Sequence, residues 1–190
     1  MNAKCLLCLA MLFGLAAGPT AVVPCLAAQA EPDVVDRTTD EARIVEHLGT
    51  IIECIPPIAT EEKLRRRVAH ATFCLPQNVL GILFYGFLQA AGQVVHTQEM
   101  NETTIVVIGP RVGASLGRYL FVPASFLTEA VVRHEYGHVM QGYRRGPFYL
   151  LFEGMASFLQ AALSIVSPTF AAGYFDRWPE NEANELGGVP

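Results

Sequence analysis

The sequence is poor in cysteine and histidine, and both shortages narrow the chemistry available to it. Its 190 residues include five cysteines and five histidines. Neither Cys54 nor Cys74 has a cysteine or histidine partner at the spacing of a zinc cluster, which excludes a cysteine-based zinc site in that part of the chain. No histidine follows His138, which excludes a metal site completed by a third histidine downstream.

Basic charge and long apolar runs are also scarce. The chain has 13 Lys and Arg against 18 Asp and Glu, for a net charge of −5. Its basic residues cluster at 63–67 alone, as a solvated helix face would present them, and the acidic total argues against nucleic acid as a partner. The apolar run at 79–88 is shorter than the roughly 20 residues that cross a bilayer. We predict a buried core helix there, with peripheral membrane contact as the alternative. No internal repeat is present.

The first thirty residues have the order of a secretory leader. They carry one charge, Lys4, then an apolar run at 5–17, and they end in Ala28-Gln29-Ala30. A short basic start, an apolar centre and an A-x-A end are typical of a cleaved signal peptide. We therefore predict that residues 1–30 export the protein to the periplasm, the exterior or the membrane. An uncleaved membrane anchor is the alternative.

Residues 31–190 are long enough for one sizeable core, so a single domain is predicted there. This part of the chain contains two cysteines, Cys54 and Cys74. Disulfides form in exported proteins, and a bond between these two is therefore predicted, with two buried free thiols as the alternative.

The order of the patterns along the chain indicates an α+β domain. Helical patterns come first, a short group of strands follows, and helical patterns return. The predicted helices are 44–52, 64–71, 79–88, 126–142 and 147–166, and the predicted strands are Val94-Val95, 103–108 and 117–122.

The stretch VVRHEYGHV contains a metal-binding pattern. Residues four apart lie on one face of a helix, so His134 and His138 can present ring nitrogens to a single ion. Two such histidines with a glutamate after the first are typical of a zinc hydrolase, in which the glutamate takes a proton from the metal-bound water. Glu135 is the predicted general base. Gly137 costs about 1 kcal/mol against alanine inside a helix, which indicates that another backbone packs against it.

A catalytic zinc ion usually takes three protein ligands, so a carboxylate must join the two histidines. One candidate is Glu153, which lies in an apolar helical pattern, where an acid is costly unless it is paired or metal-bound. Arg144 or Arg145 could be its partner. The other candidate is Glu180, which can return over the cleft from a later helix. The residues themselves leave both open.

Several segments in a fixed order carry a resemblance to a known group of proteins. They are GRYLFV at 117–122, HEYGHVMQ at 134–141, GPFYL at 146–150, Gly154 with Ser157, and WPENEANELGGV at 178–189. This order resembles a little-characterised family of bacterial exported proteins with a gluzincin-like, HExxH-type zinc metallopeptidase core. The resemblance covers residues 74–189.

The resemblance implies a zincin-like fold, in which a small antiparallel sheet packs on a helical core around a buried HExxH helix. It also implies that Glu180 is the third zinc ligand and that Asn184 supports a histidine or that glutamate. The chain departs from the family pattern at Glu182, where an aromatic residue is common, and at Glu153, where an apolar one is common. The second departure keeps Glu153 as a ligand or as a partner of one.

The resulting hypothesis is a zinc-dependent hydrolase, expected to be a peptidase, that cleaves an amide bond of a peptide or protein substrate. The family architecture implies that the strand at 117–122 borders the cleft and pairs with an extended substrate. Tyr119, Tyr174 and Arg177 are candidates for stabilising the oxyanion. The alternative is a catalytically inactive metal-binding scaffold, or a membrane-associated interaction protein that uses the apolar helices 79–88 and 148–166.

Overall fold

A computed structural model describes residues 41–109 and 113–189 of the chain. The predicted signal peptide, 1–30, lies outside these residues. In chain order the helices and strands are α1 Glu41–Glu53, α2 Thr60–Ala71, α3 Leu75–Ala90, β1 Val94–Met100, β2 Thr103–Ile108, β3 Ala114–Leu116, β4 Tyr119–Pro123, α4 Glu129–Arg145, α5 Met155–Val166, α6 Pro168–Ala171 and α7 Glu180–Gly187. Turns of 3₁₀-helix span Ala124–Phe126 and Gly146–Phe148, and a π-helical turn spans Leu150–Gly154. The fold is α+β, as the sequence predicts.

The four strands form one sheet in the order β1-β2-β4-β3. The β1–β2 and β3–β4 pairs are antiparallel, whereas β2 and β4 run parallel. The expectation of an antiparallel sheet is therefore wrong. The reason is topological: β3 occupies the outer edge, so the strand that lies beside β2 is the one that points the same way.

The sheet separates two apolar clusters. On one face Ile105 and Val107 pack with residues of α1 and α4, including Leu48 and Val132. On the other face Val106, Ile108 and Phe121 pack against Phe84 and Leu88 of α3. Every residue of β2 is buried, which agrees with its apolar run at 105–108.

Helix α3 is only half a core helix. Phe84 and Leu88 are buried, but Leu75, Val79, Ile82 and Leu83 are exposed along the other side. The prediction of a buried helix at 79–88 is therefore wrong for that side.

The segment predicted as one helix at 147–166 is divided into a 3₁₀ turn, a π-helical turn and α5. In the described part of the chain, no single helix has the length and apolarity to cross a membrane. Two sharply bent helix pairs would meet both conditions together: Thr60–Ala71 with Leu75–Ala90, and Glu129–Phe148 with Leu150–Val166.

The two cysteines of the described region are free, so the predicted disulfide is wrong. Cys54 is exposed after α1, and its thiol donates to the carbonyl of Thr50 at 3.4 Å. Cys74 is buried before α3, and its thiol donates to the carbonyl of Gly142 at 3.5 Å. Each thiol donates to a backbone carbonyl, and one cysteine is exposed whereas the other is buried.

Candidate metal centre

Helix α4 carries both histidines of the HExxH pattern. Thr128 caps its start by accepting a hydrogen bond from the backbone N–H of Val131 at 3.3 Å. His134 and His138 lie one turn apart and are both buried. The predicted helical placement of the pair is therefore observed.

A close contact between α4 and α7 places the third residue of the group. A β-carbon at residue 137 would overlap the backbone carbonyl of Ala183, and one at residue 187 would overlap the carbonyl of Arg133. The two helices thus touch backbone to backbone, and each contributes one glycine to the contact, Gly137 from α4 and Gly187 from α7. This contact confirms the packing expected at Gly137, and it brings the first residue of α7, Glu180, over the histidines.

His134, His138 and Glu180 form a buried group that could hold a metal ion. The Oε2 atom of Glu180 lies 3.1 Å from Nε2 of His134 and 3.3 Å from Nε2 of His138. The side chain of Glu180 is fully buried, and among the described residues its carboxylate has no well-formed hydrogen bond beyond its interactions with the two imidazoles and Tyr174. A buried carboxylate without such bonds is costly, and a cation between the three side chains would remove that cost.

The second ring nitrogen of each histidine has its own acceptor. Nδ1 of His134 lies 2.7 Å from Oδ1 of Asn184, and Nδ1 of His138 lies 2.8 Å from Oε1 of Gln141. When these amide oxygens accept, each Nδ1 carries the proton and each Nε2 offers its lone pair to the centre of the group. Asn184 therefore has the supporting position that the family resemblance implies.

Gln141 is a supporting residue that the sequence analysis did not assign a role. Its Nε2 donates to the carbonyl of Pro179 at 2.8 Å and to Oε2 of Glu182 at 3.1 Å. It therefore joins His138 to the turn that begins α7. The available signal was a glutamine three residues after His138, on the same face of the helix.

Glu135 faces β3 and is buried. The hydroxyl of Ser115 lies 2.7 Å from Oε2 of Glu135 and 2.8 Å from its backbone carbonyl. A β-carbon at residue 113 would lie 2.6 Å from Oε1 of Glu135, so the chain before β3 passes directly over the carboxylate. Ser115 was not found by the sequence analysis, because only the fold brings β3 to α4.

Glu153, the other carboxylate candidate, is not part of the His134, His138 and Glu180 group. Its side chain is 1 % exposed, and its Oε1 accepts a hydrogen bond from Nε of Arg145 at 2.5 Å. Arg145 is thus the partner that the sequence analysis named as one of two. The Oε2 atom of Glu153 has no hydrogen-bond partner among the described residues.

Two tyrosines border the group. Burial raises the pKa of Tyr149 well above its ordinary value, and the nearby charges of Glu135, Glu180 and Glu153 raise it further. Burial also raises the pKa of Tyr174, and its charge and hydrogen-bond interactions with Glu180 act in the same direction. Both hydroxyls therefore stay protonated and can donate.

Of the three candidates for oxyanion stabilisation, one interacts with the His134, His138 and Glu180 group. Tyr119 stacks on Tyr85, with 5.8 Å between ring centres, on the side of the sheet that faces α3. The guanidinium of Arg177 lies 4.1 Å from the ring centre of Phe170 and donates to the carbonyl of that residue. Tyr174 is the one that interacts with Glu180, and Tyr149 joins it as a position that the sequence did not indicate.

The electrostatics of the group favour a positive charge at its centre. Burial raises the pKa of Glu180, but hydrogen bonds and charge from the two histidines lower it more, so the net shift is well below the usual range. Burial lowers the pKa of His138, yet Glu180 and Glu135 outweigh it and the pKa rises to about 9. When no metal is bound, these two shifts favour the ionised carboxylate of Glu180 and the protonated imidazole of His138.

The strand expected to pair with a substrate, 117–122, cannot do so. It contains β4, which lies between β2 and β3 and is hydrogen-bonded on both sides. The edge of the sheet on this side is β3.

The other three histidines, His47, His70 and His96, lie outside the group. The ring of His47 meets the carbonyl of Leu127, His96 lies in β1, and Nε2 of His70 meets the hydroxyl of Tyr143 at 2.5 Å.

Comparisons with family models, with curated proteins and with solved structures found nothing that matches this chain.

Proposed function

We propose that the protein is a zinc-dependent hydrolase, and specifically a peptidase of the gluzincin-like type with a zincin-like arrangement of α4 beneath the sheet. The observation that carries the proposal is the convergence of three buried ligand atoms from two helices, with both histidines oriented by amide oxygens. A tetrahedral ion bonded at about 2.0–2.1 Å separates its ligand atoms by roughly 3.3 Å. The separations of 3.1 and 3.3 Å between Oε2 of Glu180 and the two Nε2 atoms suit that geometry, and all three ligand atoms lie within 4.8 Å of one another.

His134, His138 and Glu180 are the proposed zinc ligands. Two imidazoles and one carboxylate are the ligand set of zinc peptidases that keep one position for water. The zinc ion would lower the pKa of that water and polarise the substrate carbonyl. Asn184 and Gln141 hold the imidazoles in the tautomer that binds a metal.

Glu135 is the proposed general base. It directly follows the first histidine ligand and is buried, and Ser115 fixes one of its oxygens. In this role it takes a proton from the attacking water and passes it to the leaving amine. Tyr149 and Tyr174, which stay protonated, can donate a hydrogen bond to the oxygen on which negative charge develops.

The edge strand β3 is the proposed guide for the substrate. Within the described part of the chain it has β4 on one side and no strand on the other, and its Ser115 lies directly beside Glu135. An extended peptide added to this edge would run past the general base, because strand addition aligns backbones side by side. The substrate class supported best is therefore an unfolded segment of a protein or a peptide.

The test measures metal content and peptide cleavage in the same preparations. We expect the purified protein to contain zinc and to cleave members of a peptide library, and we expect a chelator to abolish the cleavage. Glu135→Gln should keep its zinc and lose activity by at least about a hundredfold. Glu180→Ala should lose zinc, whereas Glu185→Ala, an exposed acid on the same helix, should keep it.

Two results would contradict the proposal. Zinc content that survives Glu180→Ala but falls in Glu153→Ala would show that the ligand is wrong. Cleavage that persists in Glu135→Gln would show that the base is wrong. A zinc-loaded protein that binds peptides but cleaves none would instead favour the inactive metal-binding scaffold.

A further inference from the structure

A large apolar surface lies on the segment that follows α4. We call it the apolar face and define it by its exposed large side chains, which are Phe148, Leu151, Phe152, Met155, Phe158, Leu159, Leu163 and Val166. No residue of α5 is buried. Most of these positions are three or four apart, so they cover much of the segment's outer side. The described fold provides nothing that covers them.

After the buried Glu153, the rest of this segment carries no charge. Residues 154–175 contain no Asp, Glu, Lys, Arg or His. A contiguous apolar surface of this kind is uncommon on a monomeric soluble protein and marks a contact with a partner or a membrane. Protein interfaces carry a polar rim with several hydrogen bonds, and this face offers few side chains for them. Lipid chains require none.

The border of the apolar face has the composition of a membrane interface. Arg144, Arg145 and Trp178 line one cavity of about 390 Å³ together with Phe148, Phe152 and Glu153. The two arginines lie just before the apolar segment in the chain, and Trp178 lies after it. Because all three line the same cavity, the start and the end of the segment lie close together. Arginine and tryptophan are the side chains that settle at the boundary between lipid chains and headgroups.

The shape of the segment suits entry into one leaflet. Glu129–Phe148, which is α4 with the 3₁₀ turn that follows it, and Leu150–Val166 meet at an angle of 112°. Helix α4 is held in the core by its buried residues, so the arm that can enter a leaflet is Leu150–Val166. Phe73, an exposed aromatic residue before α3, has its ring within 2.7 Å of where a β-carbon of Gly146 would lie, so the apolar surface continues at this end.

We propose that the apolar face is a docking surface for a lipid bilayer, with α5 in the acyl-chain region and Arg144, Arg145 and Trp178 at the headgroups. The predicted apolar leader, at 5–17, would bring the chain to a membrane whether it is a cleaved signal peptide or an uncleaved anchor. This proposal does not depend on the metal centre or on peptide cleavage.

The test uses a local reporter, because the apolar leader can also bind lipid. Trp178 is the single tryptophan of the chain and lies at the border of the apolar face. The full chain is mixed with vesicles of phosphatidylcholine and phosphatidylglycerol in equal amounts, with and without bromine on the acyl chains. We expect the emission of Trp178 to shift to the blue and to be quenched several-fold by the brominated lipid.

A matched pair of variants locates the contact. Leu151→Glu with Leu159→Glu changes two exposed leucines of the apolar face, and we expect it to reduce the quenching several-fold. Leu64→Glu with Val68→Glu changes two apolar residues of α2 that are equally exposed, at 64 % and 54 % against 67 % and 53 %. This control adds the same charge and should leave the quenching unchanged. Circular dichroism and the thermal unfolding transition report whether each variant is folded.

Three results would overturn the proposal. One is co-flotation of the chain with vesicles while Trp178 shows neither shift nor quenching, since the leader alone would then be the tether. Another is equal loss of quenching in both variant pairs. The third is a blue shift of Trp178 without lipid, accompanied by a doubling of the mass in light scattering, which would assign the face to a second copy of the chain.

Discussion

Gly137 and Ala183 are in backbone contact, and this contact sets the position of Glu180. A β-carbon at residue 137 would occupy the space of the carbonyl oxygen of Ala183. The rigid backbone of α7 cannot yield as a side chain would. The separation of α4 and α7, and with it the distance from His134 and His138 to Glu180, therefore depends on a glycine.

Replacing that glycine is the first test. We expect Gly137→Ala to lower the free energy of unfolding by about 1–3 kcal/mol or more, because α7 must move away. We also expect weaker metal binding, because Glu180 moves with α7. Gly49→Ala is the control, since its β-carbon meets nothing within 4 Å in the interior of α1 and should stabilise the protein by about 1 kcal/mol. Chemical denaturation measures the free energy of unfolding of both variants. Equal effects of the two substitutions would refute the contact.

Asn184 orients His134, so its removal should weaken metal binding without abolishing it. Asn184→Ala leaves Nδ1 of His134 without its acceptor at 2.7 Å. We expect metal affinity to fall by about 10–100-fold, which is typical for the loss of a partner that orients a ligand. Competition with a fluorescent zinc chelator gives the constant. Glu185→Ala, on the exposed side of the same helix, should leave the metal affinity unchanged within error. An equal fall in affinity in both variants would assign the effect to the helix as a whole.

Ser115 positions Glu135, and its role follows from the proposed mechanism. Ser115→Ala removes the hydrogen bond at 2.7 Å to Oε2. We expect kcat for peptide cleavage to fall about tenfold and the pH profile to shift, because the base loses the group that orients it and stabilises its charge. Zinc content should not change. Ser115→Thr, which keeps a hydroxyl, should recover part of the loss, and a variant with unaltered kcat and pH profile would contradict the positioning role.

His70 should make stability fall in acid. Burial lowers the pKa of His70 to about 4, and the positive charges of Arg118 and Arg66 act in the same direction. Hydrogen-bond interactions with the backbone of Glu102 and the side chain of Asn78 oppose this lowering. The folded pKa is below the unfolded value of about 6.5, so the unfolded state binds a proton first as pH drops. The contribution is present above pH 6.5 and is lost by about pH 4.

The measurement is the difference in unfolding free energy between wild type and His70→Gln at several pH values. We expect wild type to lose on the order of 2 kcal/mol relative to the variant over that window. The comparison cancels the other groups that titrate in acid, including those of the metal centre. A difference that stays constant between pH 7 and pH 4 would mean that the pKa of His70 is not lowered.

The two described cysteines should differ in reactivity. Cys54 is exposed, whereas burial raises the pKa of Cys74 to about 11 and keeps it a thiol at neutral pH. We expect a brief treatment with iodoacetamide to label Cys54 in the folded protein and to label Cys74 only in denaturant. Peptide mapping by mass spectrometry reads each site separately. Recovery of a Cys54–Cys74 cross-linked peptide under non-reducing conditions would contradict the free thiols.

Local features of the fold could be read from the sequence, because they depend on neighbours a few residues apart. The spacing of His134 and His138 requires only a helix to place both on one face. The apolar run at 103–108 predicts a strand. The order of helical patterns, then strands, then helical patterns predicts an α+β domain. Each of these features is present in the structure.

Features that join distant segments could not be read in this way. The parallel pairing of β2 with β4 depends on which strand of the second hairpin reaches β2, and both orders suit the same apolar pattern. The exposed side of α3 and all of α5 are as apolar as a core, so composition alone could not separate burial from exposure. Cys54 and Cys74 were an even pair in sequence, yet the fold places them in different surroundings.

The sequence by itself determined the two histidines, the glutamate between them and the need for one carboxylate ligand in any metal site they form. It left Glu153 and Glu180 both open, because each is acidic and each lies within reach along the chain. The tertiary structure decided which of the two carboxylates lies beside the histidines. Arg145 holds Glu153, while Gly137 and Gly187 let α7 approach α4 closely enough to place Glu180 between the histidines. That contact joins residues more than forty positions apart, so only the folded chain can specify it.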